Sequence, residues 1–401
     1  MSIRSLLFLV ILLAVAASGQ AAADGAGCPP LRGTGDLGMV IERDGGAVLV
    51  VEHSGRTILG RVDGLGDLSH AAAVFSRDGR HAYVFGRDGG LSKVDLLGLR
   101  LEKRIVQAGN SIGGALSSDG RLVAAQNYEP GGVKVFDAET LALVADLPAD
   151  PGGPAPGVRS KVVGLADAPG NRFVYSLFDA GEIRVADLGD ATHPVVSRFA
   201  GIGRQPYDGL ITPDGRYYLA GLFGEDGLAL LDLWHPEAGV RRILDGYGRG
   251  EQPLPVYKMP HLRGWALASG RAWLPAIGRH EVLVAEAAGW TEVARVPVLG
   301  QPVFVIARPD GRQLWVTFAL PENDRIQVID VPTGAVVRTI ATGPAALHLE
   351  FTPRGDEVWV SVRDRNLVQI YDTASFALKA ELPASSPSGI FFTARAGRIG
   401  F

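Results

Sequence analysis

The sequence predicts an all-β fold, an eight-bladed β-propeller, and three observations lead to it. An Asp-Gly-Arg turn recurs as Asp78-Gly79-Arg80, Asp119-Gly120-Arg121, Asp214-Gly215-Arg216 and Asp310-Gly311-Arg312. Each turn is followed by two strand-like runs that end on an acidic residue, at Asp95, Asp137, Asp232 and Asp330. Asp78 and Asp119 stand 41 residues apart, within the period of a blade of four short strands. The third observation is a left-over strand near the C-terminus, Gly389-Ile390-Phe391-Phe392-Thr393, with no partner of its own in sequence. A blade buries its faces only against its neighbours. The repeat therefore implies one domain rather than the two or three that 401 residues suggest.

Taken in order, blade 1 opens with residues 38–42 and 47–51, two apolar runs either side of Asp44-Gly45-Gly46. Blades 2 to 7 start near Ala71, Gly113, Val162, Asp208, Gly264 and Val303, and blade 8 near Leu347. Runs such as His81-Ala82-Tyr83-Val84-Phe85 gather β-branched and aromatic residues between Gly and Asp, and no stretch keeps a 3.6-residue period over three turns. A closed ring needs its last strand to pair with its first blade, which removes exposed sheet edges. Residues 389–393 are therefore expected to complete blade 1; seven blades is the alternative count. Two insertions break the period, at 148–156 and 244–260. The second carries Tyr247, Arg249, Tyr257 and Lys258 and is the better candidate for a lid.

Composition agrees with a turn-rich β chain: 53 Gly, 25 Pro, 47% hydrophobic and 20% charged residues exclude disorder. A net charge of -4 without a basic run gives no attraction to nucleic acid. Residues 1–23 read as a signal peptide: Arg4 precedes an apolar stretch at 6–17, and Ala21-Ala22-Ala23 offers a cleavage site. Residues 24–37 form an N-terminal extension and 38–401 the propeller. The expectation is a periplasmic protein, soluble after cleavage. The alternative is a lipoprotein anchored at Cys28, the single cysteine, which would then be the one route to a membrane.

Blade phase selects candidate site residues. Loops entering each innermost strand should meet loops joining second and third strands at one mouth of the channel. The entry loops supply His70, Asn110, Arg159 with Lys161, and Arg204 with Tyr207 and Asp208. Further round the ring they supply Lys258 with His261, then Gln301 and His348. The mid-blade loops bring Arg87, Asn127 with Tyr128, Asp179, Glu225, Arg279 with His280, and Arg363. Several cations and histidines on one mouth suit a ligand bearing several carboxylates, with or without a metal. His70 stands out because Ala71-Ala72-Ala73 beside it would let a flat ligand approach. The strand-end aspartates and the arginines of the Asp-Gly-Arg turns read as structural. His53, His81, His193 and His235, on strands or outer turns, read as surface or satisfied core residues.

No H-E-x-x-H, nucleophile elbow, P-loop or paired-cysteine site is present. Without C-x-x-C-H, a covalently attached c-type haem is excluded. At this point a family is recognisable. The run from Asp67-Leu68-Ser69-His70 to Gly86-Arg87-Asp88-Gly89 resembles the segment of cytochrome cd1 nitrite reductases that carries the proximal haem d1 histidine and then a G-R-D turn. Gln205-Pro206-Tyr207-Asp208-Gly209 and Lys258-Met259-Pro260-His261 stand where those enzymes have their two distal histidines. Phe351-Thr352-Pro353-Arg354-Gly355-Asp356 resembles their last blade. Almost the whole mature chain, including Tyr128-Glu129-Pro130-Gly131-Gly132, is similar to the haem d1 biosynthesis proteins related to that domain.

The resemblance implies a d1-type propeller that binds haem d1 or a late precursor, an iron tetrapyrrole held non-covalently. His70 would be the iron ligand. Arg87, Asn110 and Arg159 match carboxylate-holding positions, Asn110 replacing an arginine. Lys161, Arg204 and Lys258 would add positive charge, and Tyr207, Asp208 and His261 would move protons. The cytochrome c domain is absent and Tyr207 replaces one distal histidine, which argues against nitrite reduction. The expected role is a tetrapyrrole-modifying step of haem d1 synthesis, with a non-catalytic carrier as the alternative. Dihydro-haem d1 dehydrogenase and cytochrome cd1 nitrite reductase would be its partners.

Overall fold

In the computed structural model, residues 32–150, 159–247 and 264–398 are described. Eight four-stranded antiparallel sheets make up the propeller. Blade 1 comprises Leu37–Glu42, Ala47–Glu52 and Thr57–Val62, with Pro387–Phe392 as its innermost strand. The C-terminal strand pairs antiparallel with Leu37–Glu42, placing Phe392 opposite Gly38 and Ile390 opposite Val40. The other innermost strands are Ala72–Phe75, Asn110–Leu116, Val162–Ala168, Pro206–Ile211, Ala266–Ala268, Pro302–Ala307 and Ala346–Phe351. The expected count of eight and the expected closure both hold. Blade 1 starts one residue earlier than the sequence suggested, at Leu37, after a short 3-10 turn at Thr34–Asp36.

The core lies between blades. Val40, Leu49 and Val51 of blade 1 pack with Trp359, Val368 and Ile370 of blade 8 and with Ile390 and Phe392 of the closing strand. Middle strands are covered on both faces, so they read as continuous apolar runs. Leu37–Glu42 and Glu357–Val362 are buried at every position, whereas the outermost Arg100–Val106 is mostly exposed. Three tryptophans repeat this logic: Trp273, Trp315 and Trp359 each stand third in the second strand of blades 6, 7 and 8, at 2%, 0% and 0% exposure.

The recurrent turn is a small hydrogen-bonded device. Ser76, Ser117 and Thr212 each donate a hydroxyl to the aspartate two residues on, which also accepts the following Arg N–H. The same hydroxyls accept the N–H of the next strand, from His81, Leu122 and Tyr217. Arg80 and Arg216 pair with Asp95 and Asp232, so these residues are structural as expected. His53, His81, His193 and His235 each sit beside a carboxylate, Asp36, Glu102, Asp190 and Glu237 respectively.

Candidate functional site

Entry segments and mid-blade turns meet at one mouth, and the backbone ties them together. The mid-blade N–H donates to the entry carbonyl of its own blade: Arg43 to Ser386, Arg87 to Asp67, Phe178 to Lys161, Phe223 to Gln205, Ala319 to Gln301 and Arg363 to Ala345. The mouth is therefore a rigid collar. Several residues expected on entry loops instead lie inside innermost strands, where β-bulges turn them inward. Register breaks occur around Ile112, Gly164 with Leu165, Tyr207 with Asp208, Val303, Leu347 with His348, and Ser388 with Gly389. All of these line a central cavity of about 400 Å³. A bulge frees a side chain from strict alternation, so Tyr207, Asp208 and His348 reach the channel from positions that a regular strand would aim elsewhere.

His70 lines this cavity and an adjoining one of about 330 Å³. Its loop is fixed rather than floppy. Leu65 and Leu68 are buried, Asp67 Oδ1 accepts the Ser69 N–H at 2.8 Å, and the Asp67 carbonyl accepts the Arg87 N–H at 2.8 Å. Hydrogen bonds from Ser69 hold the Asp67 carboxyl below the usual carboxylate range.

The adjoining cavity has an aromatic wall made by Tyr128, Phe178 and Tyr207. Phe178 and Tyr207 meet edge to face at 6.2 Å, and the Tyr128 hydroxyl donates to Tyr207 Oη at 3.4 Å. Burial is the main cause that raises both phenols above their ordinary value, so both stay protonated at neutral pH. Behind them Tyr218 donates to the Gly164 carbonyl at 2.8 Å. Gly164 has φ +61°, and an added Cβ would meet the backbone of Asp208 and Gly209, so the close approach of blades 4 and 5 requires glycine there.

The cations divide into two groups. Arg159, Lys161 and Arg204 are each matched to an acid: Asp150 at 3.3 Å, Asp179 at 3.2 Å and Glu225 at 3.4 Å. Arg43 and Arg87 have no ion pair or side-chain hydrogen bond among the described residues, and both lie at the mouth. Burial, followed by the charge of Arg363, lowers the Arg43 pKa, while Asp44 and Asp67 oppose the shift. Arg43 is the residue that sequence reasoning missed, because its turn was read only as the hairpin of blade 1. A signal was available: Arg43-Asp44-Gly45-Gly46 is repeated as Arg87-Asp88-Gly89-Gly90 one blade later.

Other expectations are placed as follows. Asn110 opens its strand with Oδ1 buried and without a hydrogen-bond partner among the described residues. Asn127 does not reach the mouth: it is 1% exposed and exchanges two side-chain hydrogen bonds with Gln107, which corrects its assignment. Lys258 and His261 lie outside the described residues, as do residues 1–31 with the expected signal peptide and Cys28, and most of both insertions. Among the described residues no group of three or more His, Cys, Asp or Glu is arranged to hold a bare metal ion. A single imidazole fits an iron that arrives already held by a macrocycle.

Fold and mouth together define a propeller with a rigid collar around one cationic and aromatic opening. The chain belongs to the cytochrome D1 heme domain family, whose model matches residues 32–396. It is 61% identical over 378 residues to protein NirF of Pseudomonas aeruginosa, covering 94% of this chain and 96% of that protein. It is 60% identical over 372 residues to protein NirF of Stutzerimonas stutzeri, covering 92% and 95%. The solved structure of dihydro-heme d1 dehydrogenase NirN in complex with DHE superposes with a TM-score of 0.79 at 26% identity, covering 92% of this chain and 78% of that one.

Proposed function

We propose that this protein binds haem d1 or a late precursor such as dihydro-haem d1 at the propeller mouth and takes part in a late step of haem d1 maturation. One observation carries the reading: an imidazole, two guanidiniums without acidic partners among the described residues, and an aromatic wall border one continuous opening. A flat macrocycle needs aromatic and aliphatic surface for its faces, guanidinium for its carboxylates and an axial ligand for its iron. Family membership and the likeness to a DHE-bound propeller support the same ligand.

In this reading His70 ligates the iron, and Arg43 and Arg87 take carboxylates. Tyr128, Phe178 and Tyr207 cover one edge of the ring. The bound tetrapyrrole supplies an electron-delocalising iron centre. The protein supplies protonated phenols at Tyr207 and Tyr128, and a carboxylate at Asp208 whose Oδ1 accepts the Gly209 N–H at 2.9 Å. Lys258 and His261, outside the described residues, would add a cation and a proton-transfer group. The protein works in the periplasm after loss of residues 1–23, or tethered there through Cys28. It exchanges tetrapyrrole with dihydro-haem d1 dehydrogenase and cytochrome cd1 nitrite reductase.

The test mixes purified protein with haem d1 precursors and follows absorption and mass. A ligand-induced spectrum that His70→Ala abolishes, followed by a mass change in the macrocycle, supports an enzyme of the pathway. Binding with an unchanged macrocycle under every redox condition overturns the catalytic role and leaves a carrier. No spectral shift with any haem d1 compound overturns the whole reading.

A further inference from the structure

Blades 8 and 1 are joined at the mouth by Ser386. Its N–H donates to Asn366 Oδ1 at 2.8 Å, its carbonyl accepts the Arg43 N–H at 3.3 Å, and its hydroxyl donates to Asp44. One residue thus locks the turn that begins with Arg363 against the turn that begins with Arg43. Both guanidiniums line the central cavity. Blade 2 repeats the Arg-Asp pair as Arg87-Asp88, with Arg87 lining the adjoining cavity.

The aspartates of these turns are engaged locally. Asp44 accepts from Ser386, and Asp88 accepts the Gly90 N–H and the Arg104 guanidinium. Asp364 pairs with Arg363 itself at 2.7 Å, both side chains being a third or more exposed. A contact between sequence neighbours so exposed is weak and readily exchanged for a stronger anion. Arg43 and Arg363 line one cavity, where the charge of Arg363 helps lower the Arg43 pKa and Asp44 and Asp67 oppose that shift. A carboxylate has one oxygen for each guanidinium, and such charge-assisted bonds are the strong ones.

We infer that Arg363 is a specificity-determining residue: with Arg43 it forms a notch for an additional carboxylate, so the mouth selects carboxylate-rich tetrapyrroles over those with two acid side chains. The inference rests on the tetrapyrrole reading above and adds which ring substituent pattern is preferred. It also orients the ligand, with the additional carboxylate toward blades 8 and 1.

The experiment titrates full-length protein with iron coproporphyrin III, which has four carboxylates, and iron deuteroporphyrin IX, which has two, following the Soret band. The wild type is expected to prefer the four-carboxylate probe by about tenfold or more, the scale of one charge-assisted contact. Arg363→Gln should remove most of that preference while changing affinity for the two-carboxylate probe by about twofold at most. Arg363→Lys, with charge but no fork, should fall between. Unchanged melting temperatures establish that the variants fold. Equal wild-type affinities, or a preference that survives Arg363→Gln, overturn the inference and leave tetrapyrrole binding standing. Failure of both probes and of haem d1 to bind overturns both.

Discussion

Tyr128 donates its phenolic hydroxyl to that of Tyr207 across 3.4 Å, joining blade 3 to blade 5 over the glycine-narrowed edge of blade 4. The bond is long and neutral, so its worth should be modest, about 0.5–1.5 kcal/mol. Tyr128→Phe and Tyr207→Phe are each expected to fold. A double-mutant cycle on tetrapyrrole affinity should give a coupling of that size, because the two residues share one contact. Additive effects would show that the phenols act independently on the ligand.

The division between partnered and unpartnered cations gives a ranking. Arg43→Gln is expected to weaken tetrapyrrole binding by about 1.5–3 kcal/mol, the range for a charge-assisted bond in a partly desolvated place. Lys161→Gln and Arg204→Gln should each cost under about 1 kcal/mol, because Asp179 and Glu225, unlike Asp364 beside Arg363, are anchored as competitors by the backbone N–H groups of Lys161 and Arg204. Isothermal titration of the three variants checks the order. A larger loss at Lys161 than at Arg43 would mean that the ligand displaces Asp179.

This ranking marks what was and was not legible in the sequence. Blade count and ring closure were readable because the Ser/Thr-x-Asp-Gly-Arg device recurs and because apolar strands have a period. His70 and Arg87 were readable because they stand at loop positions that blade phase defines. The state of each charge was not readable. Whether Lys161 is offered to a ligand depends on Asp179, 18 residues away across a blade, and sequence spacing does not report that contact. Bulges were hidden too, since an extra residue in a strand such as Pro206–Ile211 leaves no mark in a short alternating run. Arg43 was hidden by its own turn, where Asp-Gly-Gly reads first as a hairpin.

The carboxyls of the turn device and of the strand ends also set the acid limit of the fold. Hydrogen bonds from Ser76 and Thr140 and from Arg216 hold the carboxyls of Asp78, Asp137 and Asp232 below their ordinary value, and the Ser375 N–H does the same for Asp372. For a carboxyl whose folded pKa is depressed, the stabilisation is fully present above the unfolded value, about 3.9, and is lost as pH falls through the folded value. The melting temperature is therefore expected to be nearly flat between about pH 5 and 8 and to fall steeply below about pH 4. Asp78→Asn should lower it at pH 7 and flatten the acid limb. Thermal melts read by circular dichroism test this, and an unchanged melting temperature down to pH 3 would contradict it.

Ring closure should carry a large share of the stability through few side chains. Phe392 is 1% exposed, meets Trp359 edge to face at 5.4 Å, and belongs to the cluster shared by blades 1 and 8. Beside it Thr393 donates its hydroxyl to the Thr34 carbonyl at 2.6 Å and lies 2.9 Å from the Leu37 carbonyl, so the last strand is tied to the first by packing and by hydrogen bonding. Truncating a buried phenylalanine removes its transfer free energy and leaves a cavity that a closed ring relaxes poorly, which together cost about 3–5 kcal/mol. Phe392→Ala is expected to lose that much in urea denaturation, against about 0.5 kcal/mol or less for Leu320→Ala, which is 57% exposed. The transition should also broaden if blade 1 separates before the rest, because blades contact only their neighbours. A two-state transition with an unchanged slope would instead mean that the ring opens and unfolds as one unit, and equal costs at Phe392 and Leu320 would show that closure does not depend on this seam.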